Sequence, residues 1–71
     1  MTYTTDKTGY CEVYAGKTCI ARSYVGYDGY EVRVLQGMDR IETLDKIRID
    51  CPDFIKLNEV PENYCPKLFT K

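Results

Sequence analysis

Cysteine is the residue of this 71-residue chain with the widest chemical repertoire, and the chain contains Cys11, Cys19, Cys51 and Cys65. An even number of cysteines in a short chain is typical of a disulfide framework in an oxidising compartment. In a reducing compartment the same residues are free thiols, which pack as small hydrophobic side chains. Zinc sites with four thiolates usually take their ligands from close C-x-x-C pairs, and no such pair occurs. Free thiols and a disulfide therefore both stay open, zinc is the least supported state, and we expect no metal site.

If a disulfide forms, we expect it to join Cys51 to Cys65. Cys65 lies in an apolar C-terminal segment that must be held against the rest of the fold, and Cys51 ends a predicted strand. Cys11 is the alternative partner of Cys65, and a bond between Cys11 and Cys19 across the first predicted hairpin is the competing arrangement. Closing the loop from Cys51 to Cys65 would stabilise the fold by about 3 kcal/mol in the chain-entropy model.

Histidine is absent from the chain. Its absence excludes Ser-His-Asp and Cys-His catalytic groups, mixed Cys-His zinc sites and the side chain most often used for proton transfer near neutral pH. Neither of the glycine-rich phosphate-binding motifs, G-x-x-x-x-G-K-[ST] and G-x-G-x-x-G, occurs. Paired carboxylates such as Asp39 and Glu42 are typical of a solvated surface. We therefore predict that the protein is not an enzyme and has no cofactor.

Three of the seven tyrosines surround a predicted turn at Asp28-Gly29. Tyrosine suits the half-buried surface of a sheet, where the ring packs and the hydroxyl meets water. It is also enriched in binding interfaces, where it offers a large and rigid contact area. Together with nearby arginines, such a face could stack on a nucleotide base or hold a cation. The candidate binding residues are Tyr24, Tyr27, Tyr30, Arg22 and Arg33.

Charge favours a protein partner. Ten Lys and Arg nearly balance eleven Asp and Glu, giving a formal charge of -1, whereas nucleic-acid binders usually carry a clear basic excess. The basic residues also have acidic neighbours with which they can pair across strands. No apolar run approaches the roughly 20 residues that span a bilayer, so no membrane partner is expected. The N-terminus has no signal-peptide pattern, so we expect a cytoplasmic protein, or a secreted one if the cysteines are oxidised.

The elements that must position these side chains are predicted to be strands, because apolar and polar residues alternate along most of the chain. Asp28-Gly29 suits a type I′ turn, in which both central residues need positive φ. The segment from Asp39 to Cys51 also fits a helix with Ile41, Leu44 and Ile47 on one side. Its β-branched end favours a strand there, preceded by a single turn at 44–47. The predicted strands cover residues 10–15, 18–25, 30–36, 39–43 and 47–51.

Five short strands joined by tight turns predict a mostly β fold, namely a five-stranded antiparallel SH3-like small barrel. A chain of this length forms one domain. We expect a loose N-terminus over residues 1–9, the barrel over 10–51, and an ordered arm or short helix over 52–71 that docks on the sheet. The predicted inner face consists of Cys19, Ala21, Val32, Val34, Ile47 and Ile49, and the predicted outer face of Glu31, Arg33, Arg48 and Asp50.

The stretch from Gly16 to Ile49 resembles a Tudor-type module. The matching segments are CIA from Cys19, the Asp-Gly turn followed by Tyr30, RV from Arg33, and ETLDKIR from Glu42. The resemblance covers about half of the chain, and the family's acidic-aromatic-Gly-Asn turn after the third strand is replaced by QGMD. It implies a small barrel and an aromatic cage that binds methylated lysine or arginine.

Two functions fit these features. The first is a non-catalytic binding module that recognises a protein partner through the tyrosine-rich hairpin around Tyr24–Tyr30. The alternative is a small inhibitor, of the kind that phages and other mobile elements encode, which blocks a host enzyme or its nucleic-acid-binding surface. A secreted effector stapled by disulfides is a third hypothesis and requires oxidised cysteines.

Overall fold

The computed structural model describes residues 1–24 and 29–69 of the chain. These residues form a single five-stranded sheet with strand order β1-β2-β3-β4-β5, together with two short helices. A mostly β fold is thus confirmed at the level of fold class. In chain order the elements are β1 Thr2–Thr5, β2 Tyr10–Ala15, β3 Thr18–Tyr24, β4 Glu31–Val32, α1 Arg40–Asp50, α2 Pro52–Lys56 and β5 Lys67–Leu68.

The sheet is mixed and open, so the prediction of a closed antiparallel barrel is wrong. Strands β1 to β4 pair antiparallel in sequence order, but β5 runs parallel to β4. Strands β1 and β5 are the two edges of the described sheet. A parallel neighbour requires a long crossover connection, and the segment that contains both helices provides it.

The N-terminal segment is ordered, contrary to the expectation of a loose terminus over residues 1–9. Strand β1 pairs along its whole length with β2. The turn between them is held by the Asp6 carboxylate, whose Oδ1 accepts hydrogen bonds from Thr8 N at 2.8 Å, Thr8 Oγ1 at 2.7 Å and Tyr10 N at 3.1 Å. An aspartate side chain that satisfies backbone donors in this way fixes a tight turn.

Strands β2 and β3 form a hairpin whose pairing is interrupted by a bulge. Val13 pairs with Ala21, whereas the next residue, Tyr14, pairs with Cys19, so that Ile20 is the extra residue. A bulge of this kind reverses which face the following residues occupy. Simple alternation predicts that Cys19 and Ala21 share the inner face, and the bulge is the reason that they do not.

The core lies between one face of the sheet, here called the inner face, and the two helices. Phe54 of α2 is fully buried, and its ring centroid lies 5.0 Å from that of Tyr30 and 6.0 Å from that of Tyr3. Leu44 and Ile47 of α1 are buried as well. Burial of each such side chain stabilises the fold by about 1.5–3 kcal/mol. The buried strand residues on the inner face are Cys11, Val13, Ala21 and Val32.

Helix α1 occupies the segment for which two strands were predicted, so the strands over 39–43 and 47–51 are wrong. Asp39 caps the helix: its Oδ1 accepts from Glu42 N at 2.8 Å, and Glu42 Oε1 accepts from Asp39 N at 3.1 Å. This reciprocal capping box satisfies two backbone donors that a helix start otherwise leaves unpaired. The local sequence therefore starts a helix, and tertiary packing of its apolar side maintains it.

The outcome for the predicted faces follows from this helix and from the bulge. Ala21, Val32 and Ile47 are buried as predicted. Ile49, in contrast, is 77% exposed, because in a helix it lies away from its neighbour Ile47. The other two errors are Cys19, which the bulge turns outward, and Val34, which is 42% exposed because β4 ends at Val32.

The C-terminal segment docks on the sheet in two pieces. Helix α2 covers the core with Phe54 and Ile55, and β5 adds to the sheet through backbone hydrogen bonds from Lys67 N to Tyr30 O and from Phe69 N to Val32 O. Cys65 is exposed, whereas the next residue, Pro66, is fully buried and holds this part of the segment against the fold.

Candidate functional site

A groove of about 430 Å³ lies on the outer face of the sheet, the face turned away from the helices. It crosses strands β2 to β5 beside the end of β3. Gly29 and Tyr30, which precede β4, and Ser23 complete its lining. The strand residues whose side chains carry the chemistry of the groove are Tyr10, Arg22, Tyr24, Glu31 and Lys67.

Two tyrosines form the aromatic wall of the groove. Tyr10 and Tyr24 are cross-strand partners, and their ring centroids lie 4.9 Å apart with a tilt of 49° between the planes. Tyr24 is 45% exposed. The Tyr10 hydroxyl donates to Glu12 Oε2 at 3.0 Å. Burial, reinforced by this carboxylate, raises the pKa of Tyr10 to about 12, so the hydroxyl keeps its proton at neutral pH.

A row of alternating charge runs across the groove along neighbouring strands. The strand register places Glu12 beside Arg22, Arg22 beside Glu31, and Glu31 beside Lys67. Arg22 Nε donates to Glu31 Oε1 at 2.7 Å, and this carboxylate raises the pKa of Arg22. The charge of Arg22 is thus compensated within the sheet. Within the described chain no ion pair or hydrogen bond joins the Lys67 ammonium group to another residue.

The Glu12 carboxylate is the centre of a small polar cluster next to the groove. Besides Tyr10, it receives a hydrogen bond from the Tyr14 hydroxyl at 3.2 Å, and the Cys19 thiol lies 3.6 Å from Oε2. Burial and then the negative charge of Glu12 raise the pKa of Cys19. A cysteine is nucleophilic as the thiolate, so this environment keeps Cys19 in its less reactive form.

Arg33 lies beside the groove and does not line it. Its guanidinium carbon is 5.1 Å from the centroid of the Phe69 ring, and that of Arg22 is 4.7 Å from the same centroid. Arg33 Nε also donates to Cys19 O at 3.3 Å. Both arginines predicted as binding residues therefore contact the aromatic side chain that follows β5.

Tyr30 belongs mainly to the core, although it also borders the groove, so its role as a binding residue stays a prediction. It is 2% exposed, and its hydroxyl donates to Ile55 O at 2.8 Å and to Asn58 O at 2.5 Å. Burial raises the pKa of Tyr30 to about 12. The alternation of the sequence predicted this position correctly, because it assigned Tyr30 to the same face as the buried Val32.

The structure thus brings together three of the five candidate residues, Arg22, Tyr24 and the largely buried Tyr30, at the groove. Tyr27 and the predicted turn residue Asp28 lie outside the described residues. Three groove residues with charged or aromatic side chains were not among the candidates, namely Tyr10, Glu31 and Lys67. Tyr10 could have been found from the register of the β2–β3 hairpin, whereas nothing in the sequence links Lys67 to Arg22.

All four cysteines are free thiols in this structure. Cys11 pairs with Ser23 on the inner face and Cys19 with Tyr14 on the outer face, so the competing Cys11–Cys19 bond does not fit the sheet. Cys51 is buried and Cys65 exposed, and a bond between them stays a prediction. In the part of the chain that the structure describes, no group of three or more His, Cys, Asp or Glu side chains is placed to hold a metal ion.

Comparison with known proteins gives no relative from which a function could be inferred. No family model, no curated protein and no solved structure matches the chain. Neither of the two described helices is long and apolar enough to cross a membrane. The functional argument therefore depends on the groove itself.

Proposed function

We propose that this chain is a non-catalytic binding module that recognises a protein partner through the groove on the outer face of its sheet. The observation that carries the proposal is the Tyr10–Tyr24 pair, which forms an aromatic wall with Tyr24 45% exposed. Tyrosine rings on paired strands lose little conformational freedom on binding, which makes them effective contact residues.

The dimensions of the groove support a peptide segment or a loop of a partner. Its volume of about 430 Å³ lies within the range of sites that enclose a small ligand or a few side chains. The groove also combines apolar ring surface with charged groups at one side, which can fix the orientation of a bound segment.

The resemblance to Tudor-type, SH3-like modules is part of the proposal. It is supported by the order of strand, glycine and aromatic strand, since β3, Gly29, Tyr30 and β4 follow one another as in the matched motif. The open mixed sheet differs from the closed barrel of such modules, and burial of Tyr30 removes one ring from a cage.

The test is a comparison of two tyrosine variants, Tyr24→Ala and Tyr14→Ala, with the native chain. Tyr14 is the matched control, because it lies on the same face but does not line the groove. Each protein is immobilised and exposed to cell lysate, and the captured proteins are quantified by mass spectrometry after circular dichroism has verified the folds. We expect a partner that Tyr24→Ala loses and Tyr14→Ala retains. Equal capture by all three proteins would contradict the use of the groove.

The inhibitor hypothesis is tested by the nature of the captured protein. An inhibitor binds one folded enzyme tightly and lowers its activity, whereas a reader module binds short peptides of its partner. Titration of the partner's activity with the native chain and with Tyr24→Ala distinguishes the two functions.

A further inference from the structure

The charges around the groove leave one cation without a counter-charge. Arg22 is paired with Glu31 at 2.7 Å, and the groove-lining charges of Arg22, Glu31 and Lys67 add up to one positive charge. Glu12, which lies next to the groove, already accepts hydrogen bonds from two tyrosine hydroxyls. A ligand that enters the groove therefore meets an ammonium group that has no ion-pair or hydrogen-bond partner among the described residues, whereas Glu31 is paired with Arg22 and Glu12 accepts two hydrogen bonds.

Lys67 lies at the edge of the sheet, where a ligand can place a carboxylate beside its ammonium group. Across the strands the charge alternates from Glu12 to Arg22, Glu31 and Lys67, and β5 is the last strand of the described sheet. The next charge in this alternation would be negative, and its position lies beyond the edge of the described sheet. Opposite charges on neighbouring strands stabilise each other, so a carboxylate there would complete the row.

We propose that the groove binds an extended acidic peptide segment; this inference rests on the proposed function. The segment places an aromatic or large apolar side chain against Tyr10 and Tyr24 and an aspartate or glutamate beside Lys67. Tyr24 and Lys67 lie two strands apart and two residues out of register, which corresponds to about 12 Å between their Cα atoms. An extended chain covers that distance in three or four residues.

This ligand differs from the one that the Tudor resemblance implies. A methylated lysine or arginine is a cation, and Lys67 would repel it; among the described residues that line the groove, the one carboxylate, Glu31, is already paired with Arg22. Nucleic acid is also less suitable, because it carries a negative charge on every phosphate and would meet Glu12 and Glu31 on the same face, whereas a peptide can place a single carboxylate beside Lys67. The acidic peptide is the one partner of the three that the charges favour.

The experiment is a selection of random displayed peptides of about twelve residues on the immobilised native chain and on two charge-reversal variants. Lys67→Glu alters the groove, whereas Lys56→Glu makes the same change on α2, which packs against the opposite face of the sheet. We expect the native chain and Lys56→Glu to enrich peptides with an acidic residue three or four positions from an aromatic or large apolar one. Lys67→Glu should enrich lysine or arginine at that position instead.

The outcomes separate this inference from the proposed function. If the native chain enriches no peptide, the proposed function fails, and the inference fails with it. If it enriches peptides without an acidic residue, or if Lys67→Glu keeps the acidic preference, only the inference is overturned.

Titration of a selected peptide, monitored by fluorescence anisotropy, measures how much each substitution of Lys67 weakens binding. Lys67→Gln should weaken binding about threefold and Lys67→Glu about tenfold, as expected for an ion pair near solvent. Binding of a trimethyl-lysine peptide, or of single-stranded oligothymidine or oligouridine, more tightly than the selected peptide would overturn the inference.

Discussion

The two faces of the sheet use similar residues for opposite purposes. Tyr30 and Tyr24 are separated by only a few residues along the chain, yet Tyr30 is 2% exposed and Tyr24 is 45% exposed. On the inner face the tyrosine hydroxyl donates to backbone carbonyl oxygens at the end of α2, and the ring packs on Phe54. On the outer face the rings of Tyr10 and Tyr24 contact each other and leave ring surface for a ligand.

The difference between the faces shows how a small sheet can be stabilised on one side while the other side stays accessible. Stability comes from the helix-covered inner face, where apolar side chains are removed from water. The outer face contributes less, because its ion pairs and ring contacts are partly in solvent. Substitutions on the outer face should therefore alter binding with small effects on folding, whereas substitutions on the inner face should do the reverse.

The largest effect is expected for Phe54→Ala. Loss of a fully buried aromatic ring costs about 3–5 kcal/mol, and a chain of this length has a total free energy of unfolding of about 4–11 kcal/mol. We expect the variant to lose about half of its free energy of unfolding, as measured by urea unfolding. Tyr24→Ala is the control on the outer face and should cost about 1 kcal/mol. Similar losses for the two variants would refute the division between the faces.

The second prediction concerns the point at which the chain passes from the outer groove to the core. Gly29 has φ +94°, and a Cβ at this position would overlap with the Tyr64 hydroxyl. Gly29→Ala should cost about 3 kcal/mol, from backbone strain together with displacement of Tyr64. Gly37 has φ +81° with open space around it, so Gly37→Ala should cost only about 1 kcal/mol.

Thermal unfolding of these two glycine variants, and of Gly29→Ala combined with Tyr64→Ala, tests the cause. The double variant should recover part of the loss if the Tyr64 side chain is responsible. If Gly29→Ala and Gly37→Ala lower the free energy of unfolding equally, the Tyr64 side chain moves aside without an energetic cost.

The third prediction is a loss of stability at alkaline pH to which Tyr30 on the inner face contributes alongside Tyr10 on the outer face. Burial raises the pKa of Tyr30 from 10.0 to about 12 in the folded chain, so the unfolded chain loses this proton first as the pH rises. The stabilisation is complete below pH 10 and is lost between pH 10 and 12, by roughly 2–3 kcal/mol. Urea unfolding in steps up to pH 12 should show this decrease, and Tyr30→Phe should reduce it. An unchanged pH profile in Tyr30→Phe would assign the decrease to another group.

The smallest effect on stability is expected for Glu12→Gln on the outer face. The amide oxygen can still accept one tyrosine hydrogen bond, and the amide nitrogen can donate to the other tyrosine hydroxyl, so the free energy of unfolding should change by less than about 1 kcal/mol. The negative charge that helps to raise the pKa of Cys19 is lost, however, and alkylation of Cys19 should become faster. Peptide mapping after brief iodoacetamide treatment measures the rate. Glu31→Gln is the control, and an equal acceleration there would contradict the role of Glu12.

The sequence predicted the hairpin strands well and the second half of the chain poorly, for identifiable reasons. Alternation placed β2 and β3 correctly because their inner face is buried by the helices. In the segment of α1, Ile47 fits both a helical spacing with Ile41 and Leu44 and a strand alternation with Ile49. The strand alternation was preferred. Asp39 and Glu42 were interpreted as surface charges, although their spacing of three is that of a capping box.

The groove could be predicted only in part, because its two sides come from distant parts of the chain. Tyr24 and Arg22 lie on a strand that local pattern identifies, and Tyr10 follows from the hairpin register. Lys67 joins them through the parallel pairing of β5 with β4. Such a pairing depends on the path of the crossover, and alternation within a two-residue strand contains no information about it.

The parallel attachment of β5 has a consequence for the order in which the molecule assembles. The β2–β3 hairpin is a local contact, whereas β5 must return across both helices before Lys67 N can reach Tyr30 O at 2.9 Å and Phe69 N can reach Val32 O at 3.1 Å. Closure of such a long loop is slow, and a strand held by so few backbone bonds can detach at low cost while the core stays intact. We therefore expect the cationic side of the groove to form late and to open readily, so that opening of this strand would limit the lifetime of a bound partner.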